Sequence, residues 1–207
     1  MSQLISEFDL ISNMSWWKEK SDYESAVLLL KKTSQYSHIS KLFENLVNSE
    51  ELISLCEKLV SLDKLVLYNN ANNKTRLRLH AFKEGSYELL HNHKWPFISI
   101  VLKGSLEHKI SRELNTDFAS FICSHKAGDV YFLSPYLYHT LEAAKDTITL
   151  VLRGPDLLER SEWLDINRNE FWEHVGGKND SNMKNLNKIQ VTTIIDDLIK
   201  DLGVNDV

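Results

Sequence analysis

Hydrophobic side chains recur at helical spacing through the N-terminal third of the chain. The pattern predicts helices over 15–33 and 39–47 and a third that begins near Ser49. Glu50 and Glu51 fall in the first turn of that third helix, where the helix dipole favours carboxylates. The apolar stripe of the first helix consists of Ala26, Val27, Leu29 and Leu30.

From Lys64 to Arg153 the pattern changes to short alternating or β-branched runs, with turn residues every 8 to 12 positions. Short strands at this spacing are typical of an antiparallel sandwich or barrel. Glycines mark the joints, since turns favour a residue without a Cβ: Gly85, Gly104, Gly128 and Gly154. The predicted strands are 65–68, 76–82, 87–93, 97–102, 105–110, 118–123, 130–133 and 147–152.

After Gly154 the spacing of apolar residues becomes helical again over 157–172, and a last helix is predicted over 192–202. The chain therefore divides into an N-terminal helical segment, 1–62, a barrel, 63–155, and a C-terminal helical extension, 156–207. The expected class is mainly β with α-helical additions at both ends.

Charge and composition exclude several classes of protein. The 207 residues carry a formal net charge of −5 and no basic block, which argues against a nucleic-acid partner. No run of 18 apolar residues is present, so no membrane span is expected. The N-terminus lacks the pattern of a secretory signal, and Cys56 and Cys123 match no metal or redox spacing. These features predict a cytoplasmic protein.

Three histidines form the pattern with the most chemical content. His91 and His93 are separated by one residue, so on a strand their side chains share a face about 7 Å apart. A third histidine, His139, follows a Pro- and Tyr-rich turn later in the chain. Two imidazoles on one face can bind a single metal ion if a third ligand arrives from another element.

The spacing around these histidines resembles the two signature segments of the cupin superfamily. In the first segment, Gly85 precedes His91 by five intervening residues, and Gly104 falls at the expected distance after the histidine pair. In the second segment, Gly128 is followed at matching spacing by Pro135 and His139. The resemblance covers about 55 residues and implies a double-stranded β-helix, a jelly-roll barrel.

One position departs from the cupin pattern. Where cupins carry a metal-binding glutamate, this chain has Phe97. A three-histidine set resembles the thiol-dioxygenase branch, which implies Fe(II) and O₂, although the ligands also suit Ni, Zn, Mn or Cu. Loss of the carboxylate leaves the site more positive by one charge, which favours an anionic substrate.

Thiol dioxygenases carry a hydrogen-bonded Ser, His and Tyr at alternate positions of a later strand. The corresponding positions here are Thr149, Val151 and Arg153, so the His and Tyr are absent. If Arg153 points inward, its guanidinium can bind a carboxylate or phosphate in bidentate fashion. Arg76 and Arg78 share a strand face and are candidates for the same role, but the sequence leaves the inward face open.

Several further residues are candidates for the site. Tyr138 is predicted as a donor that acts on substrate or oxygen, and Tyr136 as a substrate contact, although aromatic packing also explains both. Glu107 and His108 are alternatives for a fourth ligand or an acid/base group, or they lie at a solvated strand end. His80 is a candidate for the interior and His125 for the surface.

The combined interpretation is a mononuclear cupin dioxygenase that acts on a small anionic substrate with a thiol, amino-acid or carboxylate group. The partners are then the substrate and O₂, and the resemblance also implies a homodimer formed by sheet extension. Two alternatives remain open: a non-catalytic cupin that binds a small ligand, and a metal-dependent isomerase or lyase.

Overall fold

The structure is a computed structural model that describes residues 2–83, 89–115, 121–165, 167–174 and 184–202. Within these residues four helices precede the barrel and one follows it, and the apolar periodicity predicted all of them except the first, over residues 2–12. Ser49 caps the fourth helix, where its hydroxyl accepts a hydrogen bond from the Leu52 amide at 3.2 Å. The helices are α1 Ser2–Ser12, α2 Lys20–Thr33, α3 Tyr36–Val47, α4 Glu50–Ser54 and α5 Lys188–Asp201.

Strands between and after these helices form the body of the molecule. They are β1 Glu57–Lys58, β2 Leu62–Asn69, β3 Arg76–Phe82, β4 Leu90–His91, β5 Phe97–Lys103, β6 Ser105–Ser111, β7 Phe121–Lys126, β8 Val130–Leu133, β9 Tyr138–Ala143, β10 Ile148–Arg153, β11 Ser161–Asp165, β12 Glu170–His174 and β13 Lys184–Asn185.

The strands pair antiparallel in two sheets. One sheet has the order β13-β1-β2-β3-β10-β5-β8, and the other has the order β12-β11-β4-β9-β6-β7. Consecutive strands repeatedly cross from one sheet to the other, as the steps from β3 to β4 and from β9 to β10 show. The mainly β class and the double-stranded β-helix expected for a cupin are confirmed.

Alternation along the seven-stranded sheet separates a helix-facing side from an interior side. On β3, Leu77 and Leu79 pack in the large core together with residues of α1 to α5. Arg76, Arg78 and His80 therefore lie on the opposite face, toward the other sheet. The same alternation on β10 directs Thr149, Val151 and Arg153 inward, since Ile148, Leu150 and Leu152 belong to the helix-facing core.

The predicted helix over 157–172 is wrong. Those residues contain the hairpin of β11 and β12, which extends the six-stranded sheet past β4. Trp163 pairs with Trp172 on one side and with His91 on the other. Nine positions are about two and a half turns of a helix, which would put Trp163 and Trp172 on opposite faces, whereas the hairpin pairs them directly.

Other boundaries also differ from the prediction. Within the described part of the predicted strand 87–93, only β4 forms a strand. Gly85 lies outside the described residues. Of the predicted strand 118–123, residues 121–123 belong to β7, which continues to Lys126, and 118–120 lie outside the described residues. The sequence pattern did not predict β9 as a strand, although it carries His139. In the described ranges, no helix combines the length and apolar character needed to cross a membrane.

Candidate metal centre

The three histidines predicted as metal ligands converge on the inner face of the six-stranded sheet. His91 ends β4 and lies directly opposite His139 of β9 in the antiparallel register. His93 follows two residues later, and one nitrogen from each ring lies within 4.8 Å of the other two. His91 and His139 are each 1% exposed and His93 is half-buried, so protein encloses two of the three rings fully.

Local contacts orient the ring of His91. Its Nδ1 lies 2.7 Å from the carbonyl oxygen of Leu89, so Nδ1 carries the proton and Nε2 keeps a free lone pair. The indole of Trp163 stacks on the same ring, with centroids 3.9 Å apart and planes 4° apart. These two contacts hold the imidazole in an orientation suited to binding a metal through Nε2.

The other two ligands approach each other closely. His93 Nε2 and His139 Nε2 are 2.9 Å apart. When two imidazole nitrogens each lie about 2.1 Å from one metal ion, with an N–metal–N angle of about 90°, the two nitrogens are about 3.0 Å apart. The donor set and this spacing therefore fit a metal ion shared by the histidines, and it is the one such cluster within the described residues.

A fourth histidine supports the site from behind. His108 Nε2 lies 2.9 Å from His139 Nδ1, and His108 is fully buried. If His139 binds metal through Nε2, its proton is on Nδ1, which then donates to His108 Nε2. His108 thus acts as a positioning residue that sets the tautomer of His139. The sequence alternatives for His108, a fourth ligand or a solvated strand end, do not describe this position.

We expect His108→Phe to lower metal affinity by roughly 10- to 100-fold, because His139 loses the acceptor that orients it. The measurement is competition with a chelator of known affinity. His125→Phe is the matched control, because the His125 ring contacts that of His108 but makes no contact with His139. Equal losses in the two variants would contradict the positioning role.

Burial keeps the ligand imidazoles neutral. Desolvation lowers the pKa of His93 and His139 well below 6.5, and the neighbouring histidines lower it further. Burial also lowers the pKa of His108 to about 3 and that of His80 well below 6.5. Neutral imidazoles are the form that binds metal, so the site needs little proton release to accept an ion.

The metal-free protein should lose stability as the pH falls below 6.5. The unfolded chain takes up protons on its histidines near that pH, whereas the four buried rings do not. The free energy of unfolding then falls by up to about 1.4 kcal/mol per pH unit for each such histidine. Denaturant unfolding between pH 7.5 and 5 measures this slope, and a flat profile would contradict it.

Phe97 occupies the place beside the ligands where cupins carry a carboxylate. Its ring centroid lies 5.2 Å from that of His93 and 6.0 Å from that of His139. A phenyl ring supplies no ligand atom, so the described protein donors at the site are three neutral imidazoles. The centre therefore keeps the full charge of a bound metal ion, which favours anions as additional ligands.

Arg153 points inward, as the sequence interpretation required, but it already has protein partners. Its guanidinium carbon lies 3.6 Å from the ring centroid of Trp95, and its Nη2 donates to Asp156 Oδ1. Trp95 in turn stacks near His93, with centroids 5.5 Å apart. These contacts join the guanidinium to a metal ligand through one aromatic ring.

Arg78 differs from Arg153 in its contacts. It is 7% exposed, and its Nε is buried without a hydrogen-bond partner among the described residues, although the charges of Glu57 and Asp156 act on it. Arg76, on the same face, donates through Nε to Asn69 at 2.9 Å. His80 also lies inward, and its charged form would lower the pKa of His93.

The structure does not bring the two predicted tyrosines to the histidine cluster. Tyr138 precedes His139 on β9, so its side chain leaves the opposite face, where its hydroxyl donates to Glu162. Burial and this carboxylate raise the pKa of Tyr138 to about 12. Tyr136 is 65% exposed, and both tyrosines line an outer surface cavity of about 410 Å³.

The structure also places Glu107 and His125, the two weaker candidates for the site. Glu107 is exposed and forms an ion pair with Lys109 at 3.3 Å, outside the cluster. His125 is half-buried instead of lying free at the surface, because its ring stacks on Tyr131 with centroids 4.3 Å apart. Sequence reasoning missed the roles of Trp163 and Asp156, whereas the alternation of Leu106, His108 and Ile110 on β6 contained a signal for His108.

Solved structures with a similar chain path are cupins and related double-stranded β-helix proteins. KdgF from Halomonas sp. is 13% identical over 45% of this chain and 81% of its own, with a TM-score of 0.37. An RmlC-like cupin from Shewanella frigidimarina is 18% identical over 45% and 76%, with a TM-score of 0.37. An uncharacterized protein with a double-stranded β-helix domain from Klebsiella pneumoniae is 14% identical over 56% and 85%, with a TM-score of 0.38.

No protein-family model matches this chain, and no curated protein matches it either.

Proposed function

We propose that the protein is a mononuclear metal enzyme of the cupin type, and that it uses Fe(II) and O₂ to oxidise a small anionic substrate with a thiol, amino-acid or carboxylate group. The observation that carries this proposal is the largely buried cluster of His91, His93 and His139, to which no carboxylate of the described residues belongs. When bound there, iron would supply the electrons for reaction with oxygen and open positions for its partners.

The residues of this chain have distinct parts in the proposal. The three histidines hold the ion, while His108 and Trp163 keep two of the rings in place. Phe97 presents a phenyl ring beside the ligands, which excludes water from that side. Arg78 and Arg153 line the inward face of the opposite sheet and orient the anionic group of the substrate.

The test is metal analysis and oxygen uptake of protein purified without oxygen. We expect stoichiometric iron, and oxygen consumption when small thiols, amino acids or carboxylates are added. Turnover that proceeds without oxygen would replace this proposal by a metal-dependent isomerase or lyase. Protein that contains no stoichiometric metal and binds none on reconstitution would replace it by a non-catalytic ligand-binding cupin.

The cytoplasmic location and the homodimer formed by sheet extension stay predictions. Ultracentrifugation of the purified chain measures the second of these directly.

A further inference from the structure

Asn92 stands between two of the three ligand histidines, and its side chain points away from them. It leaves the outer face of the six-stranded sheet, since His91 and His93 converge on the inner face. Asn92 is nonetheless only 5% exposed, and its side-chain amide is hydrogen-bonded at both ends. A buried and engaged amide between two ligands is placed to fix where those ligands lie.

The oxygen of this side chain ends strand β4. The backbone amide of Asn92 donates to the carbonyl oxygen of Glu162 at 3.1 Å, and the backbone amide of Glu162 donates to Asn92 Oδ1 at 2.7 Å. Two directly opposed residues of an antiparallel pair normally exchange two backbone hydrogen bonds. Here the side-chain oxygen takes the place of the Asn92 carbonyl oxygen, so the strand stops at His91 and the backbone turns before His93.

The ring of His93 lies closer to the other ligands than a regular strand would place it. Residues two positions apart on a strand are about 7 Å apart, whereas the ring centroids of His91 and His93 are 4.7 Å apart. His93 Nε2 also lies 2.9 Å from His139 Nε2. The end of β4, where Asn92 Oδ1 accepts from Glu162, is therefore the point from which the chain brings His93 into the cluster.

The nitrogen of the same side chain holds the segment that leads to the third ligand. Asn92 Nδ2 donates to the carbonyl oxygen of Pro135 at 3.3 Å. Pro135 lies in the turn before β9, where the Leu137 amide donates to the Ser134 carbonyl oxygen at 3.1 Å. His139 follows this turn on β9. One amide group therefore joins the end of β4, the start of β11 and the approach to β9.

We propose that Asn92 is the positioning residue that sets the arrangement of the three ligand histidines. Its Oδ1 directs His93 through the end of β4, and its Nδ2 directs His139 through the turn before β9. This part differs from that of His108, which orients the ring of His139 and not the backbone that carries it. The inference rests on the proposed function, because it concerns the metal site, but the chain sets this arrangement with or without an ion.

The first experiment titrates Co(II) into wild-type protein and into Asn92→Leu. Leucine has nearly the shape of asparagine but neither a donor nor an acceptor. We expect the affinity for Co(II) to fall roughly 10- to 100-fold, and the ligand-field absorption bands to change shape, because the imidazoles no longer converge. Wild-type affinity and unchanged bands in Asn92→Leu would overturn the inference.

Asn70→Leu is the matched control, because Asn70 also uses both ends of its amide. Its Nδ2 donates to Ser12 Oγ at 2.8 Å, and its Oδ1 accepts from the Asn72 amide at 3.0 Å. This variant should keep the affinity and the absorption bands of the wild type, even where denaturant unfolding shows an equal loss of stability. An equal loss of Co(II) affinity in Asn70→Leu would show that Asn92 contributes only stability.

The second experiment needs no metal. Long-range ¹H–¹⁵N spectra of the metal-free protein report the ring nitrogens of His93 and His139, and we expect both sets of signals to shift in Asn92→Leu but not in Asn70→Leu. Asn92→Asp keeps the acceptor for the Glu162 amide and loses the donor to Pro135, so its shifts should be smaller. This conservative variant also decides the matter if Asn92→Leu fails to fold. Ring signals that stay at their wild-type positions in the folded Asn92 variants would overturn the inference.

Failure of this inference is distinct from failure of the proposed function. A wild-type protein that binds metal, together with an Asn92→Leu variant that keeps the affinity and the ring signals, would overturn the inference alone. A wild-type protein that binds no metal, but whose histidine signals shift in Asn92→Leu and not in Asn70→Leu, would support the inference and overturn the proposed function.

Discussion

Replacement of His91 by alanine should reduce the metal content of the purified protein from stoichiometric to background. Two histidines then remain, and the Trp163 face that stacked on the lost ring is uncovered. Two neutral ligands from one protein rarely hold a divalent ion against solvent or a chelator. Elemental analysis of wild-type and variant protein, purified side by side without oxygen, measures the change.

His38→Ala is the matched control, because it makes the same change in α3 at a histidine outside the cluster. It should keep the metal content of the wild type. Thermal unfolding of the metal-free proteins separates loss of the ligand from loss of the fold, since His91→Ala also leaves a gap against Trp163. Metal retained by His91→Ala would place the ion elsewhere and contradict the three-histidine site.

Gly104→Ala should destabilise the protein much more than Gly128→Ala. Both glycines have a positive φ, 77° and 93°, where a side chain is strained by about 1 kcal/mol. At Gly104 a Cβ would also lie 2.4 Å from Thr147 Oγ1 and 2.8 Å from Thr147 Cα, whereas at Gly128 it meets nothing within 4 Å.

Overpacking adds about 1–3 kcal/mol, so we expect a total loss of about 3 kcal/mol for Gly104→Ala and about 1 kcal/mol for Gly128→Ala. The Thr147 hydroxyl cannot move freely, because it donates to the carbonyl oxygens of Ser105 and Ala144 and accepts from the Ser105 amide. Denaturant unfolding measures both values, and equal losses would show that the turn relaxes around the added methyl group.

The spacing of motifs predicted the convergence of the three histidines better than it predicted secondary structure. Gly104, Gly128 and His139 occupy their expected places, and His91, His93 and His139 do converge. Strand periodicity explains why the histidine pair could be placed from the sequence, since side chains two positions apart share a face. The partner on β9 was found through the cupin resemblance, although β9 itself was not predicted as a strand.

The helix predicted over 157–172 failed for a physical reason. Trp163 and Trp172 would lie on opposite faces of a helix, since nine positions are about two and a half turns, whereas in the hairpin they are cross-strand partners on one face. The choice comes from the free edge of β4, which β11 pairs with at Leu90 and His91. An edge strand offers backbone donors and acceptors that only another strand satisfies.

The role of Arg153 shows a similar limit. The sequence identified it as an anion anchor if its strand face points inward, and the face does point inward. The sequence did not reveal that Trp95 already contacts the guanidinium, because a side chain 58 positions earlier in the chain approaches only through the sheet pairing. Asp156, three positions later, reaches Arg153 through the turn of the chain after β10, which the strand pattern does not specify. Arg78, which lacks such partners among the described residues, became distinguishable only through burial.

By itself, the sequence determined the strand-rich barrel, most of the flanking helices and the histidine pair, because these depend on periodicity and on spacing within short segments, and the cupin resemblance added His139. The tertiary structure decided which residues surround the histidines: Trp163 on His91, His108 behind His139, and Phe97 beside His93. Those contacts join residues from different strands, so they follow from the pairing of the sheets and from no local pattern.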